Sequence, residues 1–143
     1  MQLPNELRQR LIAEYRYAAD QMQATEDPHQ QLYYLSVYFG EASRVLNWHW
    51  DRDLVLLHSV VTTAQQTISN ALTNVTKGER VVRLTPAFMQ ALTQAAKSLA
   101  DWVEQNGTKE QFLDILGRFA ELTYATTGNG YYLMGKGIIQ IPR

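Results

Sequence analysis

Residues 54–75 read LVLLHSVVTTAQQTISNALTNV, and Leu54, Leu57, Val61, Ala64, Ile68, Ala71 and Val75 hold a three-four alternation through them. That spacing sets all of them on one side of an α-helix of about six turns. The opposite face carries Thr, Gln, Ser and Asn rather than Lys and Glu. So long an apolar line demands other helices packed against it at shallow crossing angles, which is the signature of a bundle.

Upstream, Asp27-Pro28 offers a capping carboxylate and a first-turn proline. Leu32, Leu35, Phe39, Ala42 and Leu46 then repeat the same alternation. Tyr33, Tyr34, Val37, Tyr38 and Val45 cover much of what remains of that helix. A helix apolar on most sides needs neighbours on most sides, so it is either central in the bundle or covered by a second chain. Gly40 and Ser43 leave room for another helix to approach it closely. The first helix, about residues 4–24, is an ordinary amphipathic one along Leu7, Leu11, Tyr15, Ala18 and Met22.

Downstream, Gly78 suits a left-handed helix cap. Residues 81–84 are β-branched and read as extended. Thr85-Pro86 opens a fourth helix along Phe88, Leu92, Ala95, Leu99 and Trp102 or Val103, and Asn106-Gly107 closes it. The run from Thr108 to Gln111 has capping-box form ahead of a fifth helix with Phe112, Ile115, Leu116, Phe119 and Leu122. The tail, about residues 131–141, reads as a β-hairpin around Gly135-Lys136-Gly137. The expected fold is mainly α: an antiparallel bundle of about five helices with a small β element from residues 81–84 and the C-terminal hairpin, in one domain spanning 1–143.

Composition narrows the function classes. Hydrophobic residues are 45% and charged residues 19%, which speaks against disorder throughout. A net charge of −1 provides no global basic field for nucleic acid. Cysteine is absent, which removes disulfides, thiolate metal sites and cysteine nucleophiles. The N-terminal residues lack an apolar signal core, and no run approaches the roughly 20 apolar residues of a membrane span. A cytoplasmic protein with no membrane association is expected.

The residues richest in chemistry sit at the junction of the second and third helices, where Arg44, Trp48, His49, Trp50, Asp51, Arg52 and Asp53 crowd together. Arg52 and His58 have five residues between them, with Asp53 directly after the arginine. This spacing resembles the Arg-x(4–6)-His motif of HEPN-type helical ribonucleases. The resemblance covers only this short stretch, and in that family the motif usually sits on a late helix. It implies a catalytic pair in which His58 handles a 2′-hydroxyl proton and Arg52 holds the scissile phosphate. The plainer reading pairs Arg52 with a neighbouring acid and sets His58 at the border of the seam.

A metal site is not expected. Glu26 and His29 form the only Glu-x-x-His pair, and Pro28 lies between them. No other cofactor is expected. A basic group of Lys77, Arg80, Arg83, Lys136 and Arg143 converges beside Tyr131 and Tyr132 if the hairpin packs on residues 81–84. Basic side chains with aromatic platforms would bind single-stranded nucleic acid, and a solvated loop edge is the plainer alternative.

The expectation that best fits these features is a non-enzymatic interaction or assembly module: a homodimer, or a small subunit of a larger complex. Its motive is more apolar helix surface than one copy can hide. Arg44, Trp48, His49, Trp50, Arg80, Arg83, Tyr131 and Lys136 are the binding candidates. The ribonuclease and the single-stranded nucleic-acid binder are the rivals.

Overall fold

A computed structural model of the chain describes residues 3–49, 51–77 and 85–126. It contains five helices packed against one another: α1 (Asn5–Gln23), α2 (Pro28–Trp48), α3 (Val55–Lys77), α4 (Pro86–Gln105) and α5 (Lys109–Thr126), with a 3₁₀ turn at Arg52–Leu54 leading into α3. Among the described residues there is no strand. The expected β segments, residues 81–84 and about 131–141, lie outside the described residues.

Local signals set the helix ends. The Asp27 carboxylate accepts from the backbone N–H of His29 at 3.0 Å, with Pro28 in the first turn. The Thr85 hydroxyl accepts from Phe88 N–H at 3.1 Å, with Pro86 beside it. At α5 the capping box closes reciprocally: Gln111 N–H donates to Thr108 Oγ1 at 3.2 Å, and Thr108 N–H donates to Gln111 Oε1 at 2.9 Å.

The helices form a closed ring in the order α1, α2, α3, α5, α4 and back to α1. Directions follow from the side chains that meet. Tyr15 of α1 meets Tyr38 of α2 with ring centroids 5.5 Å apart, and Leu7 shares a groove with Val45, so α1 and α2 run antiparallel. Arg16 reaches Glu104 at 2.9 Å while Met22 shares a groove with Thr93, so α1 and α4 are antiparallel too. An alternating chain of five helices cannot close a ring without one like-directed pair. With short connections turning the chain back from α2 into α3 and from α4 into α5, that pair is α3 and α5.

The core is continuous through the ring. Leu57, Val61, Ala64, Ile68 and Ala71 of the α3 line are buried, as are Phe88, Leu92, Leu99 and both Trp102 and Val103 of α4. Phe39 of α2 meets Phe119 of α5 edge-on at 5.6 Å near the middle. On α3 a second line, Val60 and Thr67, is also buried, and Thr67 turns toward α5. The polar face of α3 is therefore narrower than its composition suggests.

Candidate functional site: the α1/α2 groove

The short connection between α1 and α2 folds the chain back so that residue i of α1 lies beside roughly residue 52−i of α2. The start of α1 is thereby laid against the end of α2. Between them opens a groove of about 610 Å³ lined by Glu6, Gln9 and Arg10 from one side, Arg44, Trp48 and His49 from the other, and Leu7 and Val45 along its floor.

The junction that follows α2 is held locally. His49 N–H donates to the Leu46 carbonyl at 3.0 Å and leaves helical geometry there. The Asp51 carboxylate accepts from Asp53 N–H at 2.9 Å and starts the 3₁₀ turn. Leu54, buried, anchors that turn to the core. Trp48 is thus presented at the last turn of α2 and stays 83% exposed.

Electrostatically the groove is balanced. The Arg44 guanidinium donates to the Glu41 carboxylate through Nε at 3.1 Å and also through a terminal nitrogen. Arg10 Nε lies 3.6 Å from Glu14 Oε1. Glu6 adds a further carboxylate to the lining. With both guanidiniums already facing carboxylates, the groove does not concentrate positive charge for a phosphate chain. Its character is an apolar floor with an indole wall and a paired ionic rim.

Of the residues singled out from sequence, Arg44, Trp48 and His49 are brought together here. Trp50, Arg80, Arg83, Tyr131 and Lys136 lie outside the described residues. Arg52 is exposed on the 3₁₀ turn, whereas His58 is half-buried on α3 with its Nε2 shut away from solvent. Neither lines the groove. Among the described residues no three His, Asp or Glu side chains gather in a group that could hold a metal, and no helix is long and apolar enough to cross a membrane. The α1 half of the groove was missed from sequence. The signal was available, because a four-residue connection between amphipathic helices sets which residues face each other.

The apolar surplus expected of α2 is largely absorbed within the chain. Tyr38 and Val45 are buried against α1, and Tyr34 packs partly on the core. What stays open on α2 is narrower: Tyr33 at 58% and Trp48 at 83% exposure are its large apolar side chains left to solvent. Set against protein-family models, characterised proteins and solved structures, the chain gave no match.

Proposed function

We propose that this chain is a non-enzymatic assembly module that works as a homodimer. The observation that carries the reading is Trp48, held almost fully exposed on an ordered helix beside an apolar-floored groove. An aromatic of this kind buries roughly 150–250 Å² when covered, worth about 4–6 kcal/mol before association costs. Buried aromatic anchors of this type commonly dominate interfaces. The paired guanidiniums favour a protein surface over a nucleic-acid strand as the occupant.

Solution mass tests the reading. Sedimentation equilibrium at micromolar concentration is expected to give twice the chain mass of 16.4 kDa. Trp48→Ala is expected to shift that equilibrium toward single chains while the helical circular dichroism stays unchanged. A native chain that sediments at 16.4 kDa throughout that range overturns the proposal.

A further inference from the structure

We infer that the second copy docks on the outer side of α2, with its own α2 antiparallel across a two-fold axis that passes between Gly40 and Glu41. The inference rests on the assembly reading above and specifies its surface and register. At 3.6 residues per turn, Tyr33, Val37, Gly40, Glu41, Arg44 and Trp48 fall within roughly 100° of arc. The buried residues Leu35, Phe39, Ala42 and Leu46 occupy the other side of the helix. The six positions form a stripe along α2, between the neighbours α1 and α3.

The stripe is self-complementary in one register. An axis between Gly40 and Glu41 sets each residue i opposite residue 81−i of the second copy. Tyr33 then faces Trp48, Val37 faces the aliphatic stem of Arg44, and Gly40 faces Glu41, each pair occurring twice. An isologous contact requires this kind of matching. The two exposed aromatics of each copy cover those of the other. Nothing lies within 4 Å of a Cβ built on Gly40, so space for a partner is open where the helices would cross. Each Glu41 carboxylate lies about one turn from Arg44 of its own helix and about one turn from Arg44 of the second copy, so the charges alternate across the axis. A parallel arrangement would set Arg44 against Arg44, which electrostatic complementarity disfavours.

The absence of cysteine makes the test clean, since each introduced thiol is unique. A Gly40→Cys side chain meets nothing within 4 Å on its own chain, and a short bis-maleimide is expected to join two copies of it across the axis. Tyr33→Cys and Trp48→Cys should each crosslink poorly alone, because like positions would lie about 22 Å apart along the axis. An equal mixture should crosslink efficiently. The mixed dimer also keeps one native Tyr33–Trp48 pair, which favours its formation. A native chain of dimer mass whose Gly40→Cys variant does not crosslink, or whose Tyr33→Cys variant crosslinks strongly alone, overturns this surface and register but leaves the assembly reading standing. A monomeric native chain overturns both.

Discussion

Thr67 of α3 and Thr123 of α5 hold their hydroxyl oxygens 2.6 Å apart across the like-directed helix pair. Thr67 is fully buried, and its hydroxyl also lies 2.9 Å from the Thr63 carbonyl. Thr123 Oγ1 lies 2.9 Å from the Phe119 carbonyl. Each hydroxyl has one proton to donate, so one threonine donates back along its own helix while the other bridges. Thr67→Val keeps the shape but removes the bridge, and it is expected to cost about 1 kcal/mol in urea unfolding. The double variant Thr67→Val/Thr123→Val should cost less than the sum of the singles, because both partners become apolar together. Strict additivity would mean that the hydroxyl contact carries no coupling.

The α3 seam offers a sharper contrast. Leu57 and Ile68 are both buried, with Leu57 meeting the core in the first turn of the helix and Ile68 near its middle. Truncating either to alanine is expected to cost about 2–5 kcal/mol through lost burial and a residual cavity. Gln66 is exposed, and its amide donates to Asn70 Oδ1 at 2.8 Å along the same helix. Gln66→Ala should therefore cost about 0.2–0.5 kcal/mol at most. Thermal unfolding of the three variants distinguishes the faces.

The α4–α5 corner depends on two adjacent residues for different reasons. Asn106 takes the left-handed conformation, φ 51°, and its N–H donates to the Trp102 carbonyl. Gly107 is needed for closeness: a Cβ there would stand 2.2 Å from Trp102 Cδ1. The indole is fixed in place, since its Nε1 donates to the Thr108 carbonyl at 2.8 Å and its ring meets Phe112 at 4.9 Å. Gly107→Ala is expected to destabilise by about 1–3 kcal/mol through overpacking. Asn106→Gly should be neutral or mildly stabilising, and Asn106→Val should cost about 1–2 kcal/mol. Melting temperatures of the three check the division of roles.

Much of this architecture was legible in the residue order because apolar spacing and capping chemistry are local. The α3 line, both Xaa-Pro helix starts at Asp27 and Thr85, and the Thr108–Gln111 box all report on residues within a turn of each other. The ring order is not local, and neither is the like-directed α3/α5 contact. Thr67 falls among the polar residues of α3 in sequence, because a hydroxyl satisfied by Thr63 and Thr123 looks the same there as one facing water. The surplus apolar surface of α2 was overestimated for a related reason. Tyr38 and Val45 gain their cover from α1, through the fold-back that sets Tyr15 beside Tyr38. Arg44, Trp48 and His49 were recognisable by their chemistry alone, whereas Arg10 and Gln9 entered the site only through tertiary register.

Burial of Tyr38 gives the fold an alkaline limit. Its phenol is buried, and burial, then the neighbouring Tyr15, raises its pKa far above the ordinary 10.0. Tyr15 shifts the same way, chiefly by burial, with Lys97 opposing and Asp101 adding. A raised folded-state value means that the native chain holds the proton after the unfolded chain has lost it. Stability from this group is full below pH 10 and declines as pH rises beyond it, by up to about 1.4 kcal/mol per pH unit while the native phenol stays protonated. Tyr38→Phe removes the titrating group and keeps most of the ring packing against Tyr15 and Phe39. Between pH 10 and 11.5 the variant should lose melting temperature less steeply than the native chain, with the two curves running parallel below pH 9. Equal slopes on the alkaline limb would show that Tyr38 ionises as readily in the folded chain as in the unfolded one, and the packing of α1 on α2 would have to be looser than its ring contacts indicate.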